Sequence, residues 1–300
     1  MNAEAFPHEI SSRPEARFTY SHPGQSRIRR MLIRSVEFLA GQPALRHLYL
    51  DWSRTSDRGD EPVFAAALRL LGLRMRPDGR HHLDHLPKQG GLLLVANHPF
   101  GIVDGLCMGH LGLTLRQELG IMTNSLLCQV PEVQPYLLPV DFSGTHAARR
   151  LTAETRQRAV NLLLRGQAVA IFPAGGVATA NSPLMGRAVD SPWHPFVAKL
   201  ATLLGVTTLP VHFSGQNSRL FQIASHTSYP LRVALIFHET RRRQNRPVDL
   251  TFGAPVQSET LIGMERQAIA DHLRRLTMSL AQPSLPDPDE AFIWPSHIKF

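Results

Sequence analysis

Lysine is nearly absent from this 300-residue chain: Lys88, Lys199 and Lys299 are the only three among 32 basic residues. Positive charge is carried instead by arginine, whose planar fork grips carboxylate and phosphate and does not titrate. Cysteine is scarce as well. Cys107 and Cys128 are the only two, and both sit in apolar stretches. They read as small core residues rather than a disulfide framework or a ligand pair, which fits a reducing compartment. No apolar run reaches the roughly 18 residues a membrane-crossing helix needs. No charged-then-apolar leader opens the chain, so membrane contact is expected to be peripheral. Internal repeats and low-complexity segments are lacking too.

What is present is a net charge of +8. A basic surface suits phosphate-bearing partners: anionic lipid, nucleic acid, or the thioester of phosphopantetheine or CoA. Charge alone does not choose among them. The run Arg241-Arg242-Arg243-Gln244-Asn245-Arg246 has no interleaved aromatics, so no nucleic-acid partner is expected. Anionic head groups, an acidic carrier protein or plain solvent suit it better. His81-His82-Leu83-Asp84-His85 is rich in metal-ligand types but lies between Pro77-Asp78-Gly79 and Pro87. It reads as a surface turn, and no metal site is expected.

Four segments are expected. Residues 1–24 are polar and proline-broken, a loose arm. Residues 25–75 form an N-terminal helical region, residues 76–282 the main domain, and residues 283–300 a tail with four prolines from Gln282 onward. Within 27–40, Ile28, Met31, Leu32, Val36 and Leu39 share one helical face, and Arg27, Arg30 and Arg34 another. Such a helix either packs its stripe on the core or lies in a membrane interface. Residues 61–73 give a second helix. Strand-like runs at 91–96, 137–140, 167–172, 206–213 and 248–253 alternate with helix-like runs at 102–113, 146–165, 194–204 and 259–281. This alternation predicts an α/β fold, a largely parallel central sheet flanked by helices.

Residues 91–104 carry the clearest chemistry. A buried strand runs into Asn97-His98-Pro99, and Asp104 falls in the first turn of the next helix, at the sheet edge where α/β sites lie. A hydroxyl needs a base to attack an ester or thioester, and imidazole suits that task. A carboxylate on the far ring nitrogen fixes the tautomer and stabilises the imidazolium, as in the serine-protease template. No serine stands at this turn, so the nucleophile would be the substrate's own hydroxyl. The plain alternative is a histidine at a helix start and an aspartate favoured by the helix dipole. Downstream, Phe172-Pro173-Ala174-Gly175-Gly176 follows a strand. The glycine pair allows positive φ and close backbone approach, either as an ordinary turn or as an N–H cradle for phosphate or an oxyanion. A third strand holds Leu209-Pro210-Val211-His212, with His212 expected to be a core residue, and leads to Asn217-Ser218-Arg219-Leu220-Phe221.

Taken in order, Asn97-His98-Pro99 with Asp104, Leu138-Pro139-Val140-Asp141, Phe172-Pro173-Ala174-Gly175 and Thr208-Leu209-Pro210-Val211 resemble the glycerophospholipid acyltransferase family. The bacterial branch often labelled hemolysin-like is the best match, across residues 25–256. The resemblance implies O-acyl transfer, with His98 as general base oriented by Asp104 and a lysolipid hydroxyl as acceptor. The donor would be the acyl thioester of a carrier protein or CoA, with no other cofactor and no metal. It further implies that Asn97, Gly101, Asp141, Phe172, Pro173, Gly175, Gly176, Pro210 and Arg219 border or bind substrate. The enzyme would act peripherally, on the cytoplasmic face of the inner membrane. A lipid-binding protein without activity and a thioester or lipid hydrolase are the alternatives on the same fold.

Two departures stand out. Five residues separate His98 from Asp104, where the family commonly has four, and Gly101 is placed to absorb the extra one. The usual Phe-Pro-Glu-Gly-Thr-Arg carries Ala174, Gly176 and Val177 at its Glu, Thr and Arg positions. The arginine credited with holding a phosphate is therefore missing, unless Arg149, Arg150, Arg187 or Arg219 substitutes. A non-glycerophosphate acceptor, such as a lyso-ornithine or other lyso-aminolipid, then stands beside lysophosphatidate, and the sequence does not choose between them.

Overall fold

A computed structural model describes residues 26–55, 61–124, 130–140, 145–281 and 287–298, together with Thr19, Ser21 and Gly24. The chain opens with helices α1 (Arg27–Leu39), α2 (Gln42–Arg54) and α3 (Val63–Leu70). Strand β1 (Arg74–Asp78) follows, then β2 (Gly91–Ala96), α4 (Ile102–Leu115), β3 (Leu119–Asn124) and β4 (Leu137–Val140). Next come α5 (His146–Leu164), β5 (Ala168–Ile171), the short pair β6 (Thr179–Ala180) and β7 (Ala188–Val189), and α6 (Phe196–Ala201). Strand β8 (Val206–Phe213) leads to α7 (Arg219–Thr227), α8 (Tyr229–Ala234) and α9 (Ile236–Arg243). β9 (Pro247–Phe252), β10 (Val256–Gln257) and α10 (Arg266–Met278) complete the elements.

The main sheet runs β1-β9-β8-β2-β5-β3-β4, with β10 also on β8. Five strands from β8 to β4 are mutually parallel. β9 pairs antiparallel to β8 and parallel to β1, which makes the sheet mixed at one edge. The expected α/β fold is observed. β2 lies at the centre and is wholly buried, as a parallel strand covered on both faces must be. Its side chains alternate between two cores. Leu92, Leu94 and Ala96 meet α3, α4 and α9 through Phe64, Val103 and Phe237. Leu93 and Val95 meet α5, α6 and α10 through Leu163, Val197 and Leu273.

Five strands (β1, β3, β6, β7 and β10) and four helices (α2, α7, α8 and α9) escape the sequence pattern. β1 is a polar edge strand whose exposed Arg76 forms a two-pronged cross-strand pair with the half-buried Asp249 of β9, at 2.6 and 2.9 Å. Pro77 is tolerated there because an edge strand has one side unpaired. The expected boundary at 75/76 falls inside this strand. β3 carries Gly120, where an added Cβ would lie 2.5 Å from Leu138 and 2.7 Å from Leu162. Expected helix 259–281 is instead a 3₁₀ turn at Ser258–Leu261 followed by α10. In the basic run, Arg241, Arg242 and Arg243 form the last turn of α9, where the helix dipole favours cations.

The apolar stripe of α1 is not what packs on the core. Its buried residues are Ile33 and Glu37, followed by Ala40 just past its end, not the expected stripe. Ile28, Met31, Leu32, Phe38 and Leu39 are 59–81% exposed. With Arg27, Arg30, Arg34 and Ser35, three of them (Met31, Phe38 and Leu39) line an open groove of about 800 Å³. No helix among the described residues is long and apolar enough to cross a membrane. Cys107 is buried, and burial raises its thiol well above the usual range; Cys128 lies outside the described residues. Within the expected tail, residues 287–298 are docked through the buried Phe292 and Ile298.

Candidate active site

The centre of the site is the turn from β2 into α4. Asn97 fixes where that turn begins. Its amide donates to Phe213 O at 2.9 Å and accepts Phe213 N–H at 2.7 Å. β2 is thereby tied to β8 one step beyond their last paired residues, Ala96 and Val211. Asn97 is 4% exposed, and this main-chain clasp engages both ends of its amide.

Beyond it, the chain must reverse so that His98 faces an acid on the helix. Gly101 makes this possible with φ of 74° and ψ of −112°, a region that penalises any Cβ. The additional residue between His98 and Asp104 is taken up here. Asp104 is completely buried. Its Oδ2 accepts the N–H groups of Phe100 at 2.7 Å and Gly101 at 3.0 Å. The same oxygen lies 3.1 Å from His98 Nδ1. The two groups are in close contact, with the ring off hydrogen-bond alignment. Burial pushes the Asp104 carboxyl above its usual range, while His98 and the two N–H groups pull it back. Arg243 adds a further cation nearby, its guanidinium 4.3 Å from the centre of the Phe100 ring.

The second turn covers the imidazole. Phe172 stacks on His98 with ring centres 4.0 Å apart and planes 28° apart. Gly175 takes the positive φ expected of the glycine pair, at 70°, and closes the turn by donating to Phe172 O at 3.0 Å. Gly176 does not, contrary to expectation; its missing side chain leaves room beside Trp294, 3.8 Å from where a Cβ would stand. Pro173 is buried and its carbonyl accepts His194 N–H at 2.9 Å.

The other expected residues lie farther out. Pro210 is buried in β8 beside Val95. Its carbonyl accepts Gly253 N–H at 2.9 Å, so its missing N–H faces the corner between β9 and β10 and breaks no ladder. Arg219 is exposed and donates to Gly186 O at 2.6 Å and Met185 O at 3.4 Å. It pins the β6–β7 hairpin to α7. Asp141 lies outside the described residues. His212 is buried as expected, but its Nδ1 has no hydrogen-bond partner among the described residues, and burial lowers its pKa to about 4. In the decoy cluster, His81 and His82 pack with ring centres 4.0 Å apart, and His85 Nδ1 meets His81 O at 2.8 Å.

Three residues at this centre carry no signal in the sequence pattern. Asp190 reaches the His98 main chain, Trp193 holds Asp190, and Trp294 returns from the C-terminal tail. Arg232 is buried behind the second turn with its guanidinium 4.8 Å from the ring centres of both Phe221 and Trp294. It donates to Val177 O, Thr179 Oγ1 and Ser225 Oγ. Desolvation lowers its pKa to about 10.

The chain that builds this half-enclosed imidazole against a buried acid, at the carboxyl end of a central parallel strand, has relatives among known proteins. Residues 58–239 match the sequence profile of a family described as acyltransferase. The chain belongs to that family. The acyltransferase is similar to two bacterial proteins named lyso-glycine lipid O-acyltransferase. The one from Bacteroides thetaiotaomicron is 23% identical over 217 residues, covering 69% of this chain and 75% of that protein. The one from Phocaeicola vulgatus is 23% identical over 185 residues, covering 59% of this chain and 63% of that protein. The matched span in the family profile contains both turns of the site, His98–Asp104 and Phe172–Gly176.

Proposed function

We propose that this acyltransferase moves a fatty acyl group from an acyl thioester to the hydroxyl of a lysolipid, with His98 as the general base. The observation that carries the reading is the 3.1 Å approach of His98 Nδ1 to the fully buried Asp104. With Nδ1 turned to the acid, Nε2 is the nitrogen left for substrate, and the ring keeps 18% exposure. Nε2 takes the proton of the acceptor hydroxyl as its oxygen attacks the thioester carbonyl. The C–S bond breaks, and the proton on His98 passes to the departing thiolate. Asp104 stabilises the imidazolium between these steps. The thioester belongs to CoA or to an acyl carrier protein.

The acceptor is a lyso-aminolipid. The Phe172–Gly176 turn offers neither the acid nor the arginine that a phosphate-bearing acceptor would use. Arg232, the buried cation behind it, is already engaged by Val177, Thr179 and Ser225. The names of the two relatives point to the same class of acceptor. The lipid is reached from an anionic membrane surface. The exposed apolar residues of α1 enter the interface and Arg27, Arg30 and Arg34 face the head groups.

Thiol release from palmitoyl-CoA and palmitoyl carrier protein, with and without a lyso-glycine lipid, tests the reading. Release that depends on the lysolipid and yields the diacyl product supports it. Release independent of lysolipid identifies a hydrolase, and none with either donor identifies a binding protein.

A further inference from the structure

A second buried acid grips His98, through the main chain instead of the ring. Asp190, immediately after β7, is fully buried. Oδ1 accepts the N–H of His98 at 3.2 Å, and Oδ2 accepts Trp193 Nε1–H at 2.9 Å. On the other side of the same residue, the His98 carbonyl accepts Ala178 N–H at 2.7 Å. The segment between β5 and α6 therefore holds the base residue at both its N–H and its carbonyl.

Asp190 is also a junction. Its own carbonyl accepts Phe292 N–H from the tail at 3.0 Å and Arg274 Nη2 from α10 at 3.4 Å. Four residues on, His194 N–H holds the carbonyl of Pro173 in the second turn. A neutral side chain could tie such segments together at less cost, because a buried carboxylate gives up its hydration. What a carboxylate alone provides is two acceptor oxygens for two N–H donors. An amide, or a protonated acid, turns one of its two positions into a donor facing another donor.

We propose that Asp190 is a positioning residue for acyl transfer: its carboxylate fixes the main chain of His98 so that the imidazole stays between Asp104 and the incoming hydroxyl. The inference rests on His98 being the base. It requires Asp190 in its ionised form. The charged groups facing it are His98 on the first turn and Arg274 on α10; both favour ionisation, as do the two hydrogen bonds, and burial opposes them strongly enough to raise the pKa to about 6.

Kinetics of the purified full chain with palmitoyl thioester and lyso-glycine lipid test this, alongside circular dichroism. Asp190→Asn is expected to lower kcat about 10- to 100-fold, the scale of a misplaced reacting group, with KM within about twofold. Its log kcat profile should lose one proton from the acid limb relative to wild type. Trp193→Phe removes a hydrogen bond that favours ionisation but keeps the His98 contact. Its acid limb is expected to move to higher pH with little change in the plateau. Wild-type kcat and profile in folded Asp190→Asn would overturn the proposal. If Asp190→Asn does not fold, an unmoved acid limb in Trp193→Phe overturns it equally. Activity retained in His98→Ala sinks the base reading and this one together; an inactive His98→Ala beside a normal Asp190→Asn sinks this one alone.

Discussion

The two turns that form the site are built in opposite ways. The first, His98–Asp104, is seated in the central sheet: Asn97 and Asp104 are at most 4% exposed, and main-chain or ring contacts fix each polar group that touches His98. The second, Phe172–Gly176, reaches the surface through Gly175 and leans on peripheral parts. Its support comes from His194, the Arg232 stack and a tail residue, Trp294. Under the proposed function the contrast separates two tasks. Proton transfer, which tolerates little misplacement, falls to the core, and recognition of the acceptor falls to a surface that can vary without disturbing the sheet.

The sharpest way to break this comparison is His98→Ala. Turnover should fall at least about 100-fold with every acceptor tried, the scale of removing a general base. Near-normal turnover with any acceptor would mean that the first turn does not do the chemistry. Asp104→Asn comes next, with kcat expected to fall about 10- to 100-fold and melting temperature lowered, since Phe100, Gly101 and His98 all lean on one oxygen. Trp294→Ala probes the other turn. A several-fold rise in KM for the lysolipid is expected, with thioester KM and kcat near wild type; a collapse of kcat would erase the division between the two turns.

Smaller effects sharpen it. Charge reversal at Arg27, Arg30 and Arg34 should weaken sedimentation with anionic vesicles, more at low salt, and leave turnover of micellar substrate unchanged. The last prediction concerns pH. Folded Asp190 keeps its proton up to about pH 6, whereas an ordinary aspartate releases it near 3.8. Between those values the folded state binds more protons, so this group makes stability fall as pH rises. His212 works in the opposite sense. Its neutral form is held down to about pH 4 against an ordinary 6.5, so stability falls as pH drops through that range. In Asp190→Asn only the second effect remains. Its melting temperature should climb more steeply than that of wild type between about pH 4 and 6; parallel curves would refute the buried-acid account.

Much of the first turn was legible in the sequence. A fully apolar six-residue run, a proline, a glycine and an acid leave few ways to fold, and β2, α4 and the strain at Gly101 follow. The second turn was legible only as a glycine-containing bend. What holds it comes from distant parts of the chain, and Asp190, Arg232 and Trp294 sit in segments without apolar periodicity. β1 escaped because an edge strand needs no hydrophobic alternation. α1 was read correctly as amphipathic, but its stripe does not face inward: the residues that dock it, Ile33 with Glu37 and Ala40, include an acid that hydropathy assigns to solvent. Thr19 Oγ1 donates to that acid at 2.7 Å, a contact no periodicity announces.

The clasp between Asn97 and Phe213 has a consequence for motion. A side-chain amide that prolongs the β2–β8 pairing makes the base as immobile as the middle of the sheet, and the amide hydrogens of Phe213 and His98 should exchange with solvent among the slowest in the protein. A base that cannot travel toward its substrate leaves rearrangement during the cycle to the other partners: the hairpin tip at Leu184 and Met185, the tail bearing Trp294, and the lipid itself. Opening and closing of those surface parts, rather than any excursion of the imidazole, would then set the rhythm of turnover.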